Sequence, residues 1–228
     1  MPAIRKAERR RVVSDLKRGL ILEAARKVFE AEGLDGASLR SIAAEAGYTP
    51  AALYFHFESK EDIYAEALRE SLAQLGERVA GAISEIKSPG DRLHAAALAF
   101  FNFYAQNPRD LDLGFYLFRG GLKPHGLGKE RDELLNAGLK ASLFPLYEAA
   151  KSLGATDKQA KYLMVDIFAH AAGLLLLAHT GRIRMFDVSA PDLMERFVES
   201  RIMALKGRRR APRVSVPGTA RRAAVEVM

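Results

Sequence analysis

Apolar residues in this chain recur three and four positions apart over most of its length, with no sustained alternation of the kind a half-buried strand needs. Within 16–32, Leu16, Leu20, Ala24 and Val28 mark one helical face, with Ile21, Ala25 and Phe29 beside it; Gly33 follows as a stop signal. There is no Asn-Gly hairpin signal. This spacing confines the chain to an all-α fold.

The helix-breaking residues then set the units. Ser38 caps a short helix whose inner face is Leu39, Ile42, Ala43 and Ala46, and Gly47 ends it. Thr49 caps a third short helix, with Pro50 in the first-turn position where a missing N–H costs nothing. Ser59-Lys60-Glu61-Asp62 resembles a capping box with Asp in place of Glu or Gln, and opens a long helix towards residue 86. Beyond Ser88-Pro89-Gly90 the pattern predicts helices near 90–106, 108–119, 128–153, 157–181 and 190–206, with Pro145 expected to kink or divide the third of these.

Three short helices in about 45 residues, the last two joined by the tight Ala46-Gly47-Tyr48 turn, have helix-turn-helix proportions. Leu39, Ile42, Ala43, Leu53 and Phe57 are expected to pack the unit together with Phe29. Thr49, Pro50, Ala51 and Tyr54 are left outward on the third helix. Small residues at 51 and 52 permit close approach to a groove, while Tyr54, His56 and Lys60 offer donors suited to phosphate oxygens. Tyr54 and His56 can equally serve as packing residues.

The run from Ser38 through Ile42-Ala43, Glu45-Ala46-Gly47 and Ala52-Leu53-Tyr54-Phe55-His56-Phe57 to Ser59-Lys60-Glu61 resembles the tetracycline-repressor (TetR) family. Ala25, Phe29 and Gly33 match the pattern that precedes it. The resemblance covers about 45 residues and implies a helical homodimer with a ligand-controlled C-terminal domain. By motif position it implies a base contact at Arg40, groove-facing Thr49, Pro50 and Ala51, and DNA-backbone clamps at Ser38, Tyr54, His56 and Lys60. Pro50 and Ala51 are weak hydrogen-bonders, so base readout is expected to rest on Arg40, Thr49 and methyl contacts.

The charge distribution agrees with a polyanionic partner. Residues 1–18 hold seven basic groups against two acidic ones, and residues 207–228 hold six against one, around a mildly acidic middle in a chain of net charge +7. Each phosphate such groups neutralise releases counterions. Two solvated ends explain the same composition. The expected division is a basic flexible arm at 1–14, a helix-turn-helix domain at 15–60, a helical regulatory and dimerisation domain at 61–206, and a basic disordered tail at 207–228.

In the second half, residues 95–170 contain 11 of the 19 aromatic side chains, a cluster that can line an apolar ligand pocket or form ordinary core. The pocket candidates are Phe100, Tyr104, Phe115 and Phe144. Asn102 lies among phenylalanines, and Asp166 and His170 share a face at i, i+4, from which they can orient a ligand, pair together or bind a metal. The helices at 157–181 and 190–206 carry small and apolar residues suited to a four-helix dimer interface, which the resemblance also implies.

The functional expectation is a DNA-binding regulator, a repressor released from a palindromic double-stranded DNA operator by a small, largely apolar effector. A second reading is an architectural or non-specific DNA binder that uses its basic ends. An enzyme is not expected: there is no nucleophile–base constellation, phosphate loop or zinc signature, and the five histidines are scattered. No cofactor or metal is expected. Without cysteine no disulfide forms, and the longest apolar run, 171–178, is too short to span a bilayer, so the chain reads as cytoplasmic.

Overall fold

A computed structural model describes residues 2–114 and 126–210. These residues form nine α-helices and no strand, as the spacing requires. The first helix, α1 (Pro2–Gly36), starts well before the apolar face at Leu16: residues 2–14 hold four arginines, two alanines and a lysine, all good helix formers, and no glycine. Gly33 interrupts it at φ 70°, ψ 177°, a conformation essentially restricted to glycine, before a last turn to Gly36.

The helices α2 (Leu39–Ala46) and α3 (Pro50–Tyr54) follow. Ser38 accepts a hydrogen bond from the Ser41 amide, and the Ser41 hydroxyl accepts one from the Ser38 amide, a reciprocal cap. Gly47 ends α2 in the left-handed conformation, φ 71°, which lets the Tyr48 amide turn back to the Ala43 carbonyl at 2.9 Å. The Thr49 side chain caps α3, with Pro50 in its first turn.

The long helix α4 (Lys60–Ile83) crosses from this unit into the C-terminal half, where it packs with α5 (Pro89–Gln106) and α7 (Lys129–Ser152), which in turn pack with α8 (Asp157–His179). The short α6 (Pro108–Gly114) leans on α4 and α5 and also reaches α1. A 3-10 turn (Arg182–Phe186) leads to α9 (Ala190–Arg210), which packs on α5 and α8. The expected helix at 108–119 is described only to Gly114, and Phe115 lies outside the described residues, as does the basic tail beyond residue 210.

Two expectations are narrowed. Pro145 does not divide α7: the carbonyl it deprives of a partner belongs to exposed Ala141, where water can replace the missing N–H. And α8, although its longest unbroken apolar run is short, is long and apolar enough over an 18-residue window (mean hydropathy 1.6) to cross a membrane by length and composition. Its apolar residues divide between two faces. Leu163, Ile167, Ala171, Leu174 and Leu175 are buried in the bundle, while Tyr162, Val165 and Leu176 are exposed.

Candidate DNA-reading surface and ligand cavity

The core of the N-terminal unit is the one expected, with a shift along α1. Ile21, Ala25, Val28 and Phe29 of α1, Ile42 and Ala43 of α2, and Leu53 and Phe57 are buried; Leu39 and Ala46 are partly so. Leu16 and Leu20, placed on that face by their spacing, are exposed; in this stretch of α1, Arg18 and Ile21 turn toward the unit instead. Phe29 meets Tyr64 of α4 edge-on at 4.8 Å, and the Tyr64 hydroxyl donates to the Leu113 carbonyl of α6 at 3.0 Å. One buried tyrosine thus ties α1, α4 and α6 together.

Against this framework Ser38, Arg40, Thr49, Pro50, Ala51 and Tyr54 are all exposed, and His56 is half-buried. The Ser38 and Thr49 hydroxyls are engaged in helix caps. The Arg40 guanidinium, the Tyr54 hydroxyl and the His56 ring have no hydrogen-bond or ion-pair partner among the described residues, so their donors are free for an external acceptor. Lys60 differs from the role the motif implied: its ammonium donates to the carbonyls of Leu34, Asp35 and Ala37 at 2.8, 3.2 and 3.1 Å. These are the orphan carbonyls where α1 ends, and a cation there satisfies them. Sequence reasoning passed over Phe55, which is 89% exposed directly after α3, although its place in an aromatic triplet with only Phe57 needed inside was a readable signal.

Charged links join the reading unit to the rest. Arg18 of α1 donates to the His56 carbonyl at 3.0 Å, lies over the Phe57 ring and pairs with Glu66 at 3.4 Å. Glu66 is held below the usual carboxylate range, chiefly by the hydrogen bond from Arg69, against an opposing effect of burial. Arg26 bonds the Ala67 carbonyl of α4 at 2.7 Å and Asp110 of α6 at 3.0 Å, while Arg109 of α6 pairs with Glu30 of α1 at 2.7 Å. Asp62 stands at a junction: one carboxylate oxygen accepts from the Glu58 amide in the loop after α3, and the other binds the Arg131 guanidinium of α7.

The C-terminal bundle holds an apolar cavity that is partly open to solvent. Its walls are Leu68 and Leu72 of α4, Phe100 and Tyr104 of α5, Leu111 and Gly114 of α6, Leu135, Asn136 and Leu139 of α7, and Phe168, Ala172 and Leu175 of α8. Phe100 packs edge-on against both Tyr104 and Phe168. Among the described residues, no charged side chain lines this space.

Of the expected ligand residues, Phe100 and Tyr104 are therefore in the wall, and the others whose placement is described are not. Asn102 is exposed on the other side of α5. Phe144 is exposed on α7, stacked on Tyr147. Asp166 pairs with Arg201 of α9 at 3.6 Å, and the His170 ring stacks on Phe197 of α9 at 3.9 Å. Their shared face points at α9 instead of the cavity, so they neither orient a cavity ligand nor pair with each other. Burial pushes the His170 pKa down, with the Arg201 charge a smaller contribution, and its Nε2 is buried without a hydrogen-bond partner. Among the described residues, the group with three potential metal ligands is His94 with Glu195 and Glu199, on the outside of the α5–α9 contact.

The profile described as "Bacterial regulatory proteins, tetR family" matches residues 21–67, the stretch that contains α2, α3 and the packing residues on both sides. The N-terminal unit is a TetR-family DNA-binding domain. Curated TetR-type relatives match mainly there. The HTH-type transcriptional activator FasR of Mycolicibacterium smegmatis is 34% identical over 105 residues, 46% of this chain and 48% of that one. The HTH-type transcriptional repressor KstR2 of Mycobacterium tuberculosis is 36% identical over 85 residues, 37% of this chain and 42% of that one. The chain thus spans about half the length of these curated relatives. The fold as a whole resembles that of the transcriptional regulator FadR from Bacillus subtilis, solved in complex with stearoyl-CoA, at a TM-score of 0.62, 20% identity, and coverage of 82% and 96% of the two chains. That likeness shows that the C-terminal bundle shares its fold with that regulator.

Proposed function

We propose that this protein is a transcription regulator that binds a palindromic DNA operator as a homodimer, represses from it, and is released by a small, largely apolar effector held in the C-terminal cavity. The observation that carries this reading is a shared set of helices. The cavity wall is built from α4, α6 and α7, and these same helices hold the reading unit through Tyr64, Arg26–Asp110, Glu30–Arg109 and Asp62–Arg131. A ligand that displaced α6 or α7 would change where α1 and the loop after α3 sit. An effector shifts DNA affinity only through such a difference between two arrangements.

Exposed Arg40, Thr49, Pro50, Ala51 and Tyr54 support DNA readout by this unit, with Arg40 reading a base and Tyr54 and His56 holding phosphates. Exposed Tyr162, Val165 and Leu176 of α8 and Met203 of α9 support a second copy as the cover for this face. FadR was solved with stearoyl-CoA, and a long acyl chain suits a cavity whose described walls are apolar and uncharged. FasR is named an activator and KstR2 a repressor, so repression is the part of the reading that needs its own test. In vitro transcription from a selected operator, with and without the protein, is expected to show less transcript with protein present. More transcript would reverse the sign of control. A protein that coats duplex DNA without a defined footprint would instead be an architectural binder.

A further inference from the structure

We infer that the cavity selects an apolar molecule carrying one uncharged hydrogen-bond acceptor, a carbonyl of the ketone, ester or thioester kind, which accepts a hydrogen bond from the Tyr104 hydroxyl. This rests on the reading of the cavity as the effector site.

Tyr104 is only 6% exposed, yet its hydroxyl has no hydrogen-bond partner among the described residues. The other deeply buried tyrosine, Tyr64, donates to the Leu113 carbonyl. The hydroxyl oxygen is reachable from the open cavity, so its hydrogen-bond partner is whatever fills that space, water or a bound molecule. Its place is fixed by Gly114: a Cβ built there would lie 4.0 Å from the Tyr104 hydroxyl oxygen. The hydroxyl therefore sits at the α6 end of the cavity, with Leu72, Leu135 and Leu139 leaving an apolar space for the rest of the molecule.

The donor role follows from the protonation state. Burial, and secondarily the negative charge of Asp110, push the phenol pKa far above its ordinary value, so it keeps its proton at any physiological pH. The same surroundings oppose a carboxylate at this point. It would lose its hydration with no cation among the described wall residues to replace it. The other polar wall residue, Asn136, is exposed and stays hydrated, so it exerts little selection.

The test uses the full chain and three probes of equal chain length, dodecane, methyl dodecanoate and sodium dodecanoate, each titrated by displacement of Nile red. The unmodified protein is expected to prefer the ester to the alkane by about five- to tenfold, the effect of one hydrogen bond to a buried donor, and to prefer it to the carboxylate. Tyr104→Phe is expected to bring the ester-to-alkane ratio close to one. Gly114→Val, which fills the space before the hydroxyl, is expected to weaken the ester more than the alkane, and decides the matter if Tyr104→Phe does not fold. Equal binding of ester and alkane, a ratio that Tyr104→Phe leaves alone, or tightest binding of the carboxylate would overturn this inference and leave the effector cavity standing. No uptake of Nile red or of any probe would overturn the effector cavity itself.

Discussion

Lys60 makes contacts within the chain that its motif position does not announce. Its motif position implies a phosphate clamp, yet its ammonium is occupied by three carbonyls at the end of α1. Lys60→Ala is therefore expected to destabilise the N-terminal unit by about 1.5–3 kcal/mol, the range for hydrogen bonds from a charged donor. Urea denaturation without DNA measures this, and unchanged stability would return Lys60 to the phosphate role. Tyr54→Phe, by contrast, is expected to leave stability alone and to weaken binding about equally on all DNA sequences. Arg40→Ala is expected to relax discrimination at one base pair, by roughly 1–3 kcal/mol. A binding-site selection that returned the same base preferences for Arg40→Ala would remove it from readout.

Helices carry the coupling, and Arg131 offers a direct way to break it. The residue lies one turn before Leu135 and Asn136 of the cavity wall and holds Asp62, whose other oxygen holds the loop after α3. Arg131→Gln is expected to keep operator affinity within a few-fold while blunting release by effector, as read in gel-shift titrations; full release in the variant would place the coupling elsewhere. A second helix-level expectation concerns pH. The His170 pKa is depressed in the folded chain, so its contribution to stability is present above the ordinary histidine value of about 6.5 and is lost as pH falls through the lower folded value. Acid should therefore loosen the α8–α9 contact, where Asp166 and Arg201 also meet. His170→Phe keeps a ring for Phe197 and removes the proton, so its melting temperature is expected to fall less between pH 7.5 and 5.5 than that of the unmodified chain. Equal falls would contradict this.

At the scale of the whole molecule, the sequence makes the reading unit far more legible than the cavity. Ser38, Gly47, Thr49 and Pro50 act locally, so their caps and turns can be read from neighbours alone. Asp166 and His170 show the limit: i, i+4 spacing says that two side chains share a face and not what lies opposite, and here it is α9. The cavity takes two or three residues from each of five helices, and Leu135 and Leu139 looked like any other helical core. Arg26 was invisible for a related reason, since its partners Ala67 and Asp110 lie 41 and 84 residues away. Filling the cavity with Ala172→Phe is expected to cost roughly 1–3 kcal/mol of stability by overpacking and to abolish the effector response with DNA binding retained. Retained response would mean that the effector binds elsewhere.

The most direct measurement is a selection from random duplex DNA with the full chain, followed by footprinting of the enriched site and sedimentation of the complex. Enrichment of a palindrome is expected, with half-sites separated by about one helical turn, 10–10.5 base pairs, or a multiple of it, bound by one dimer. Failure to enrich any sequence, or enrichment of a site without two-fold symmetry, would contradict a dimeric, sequence-reading regulator.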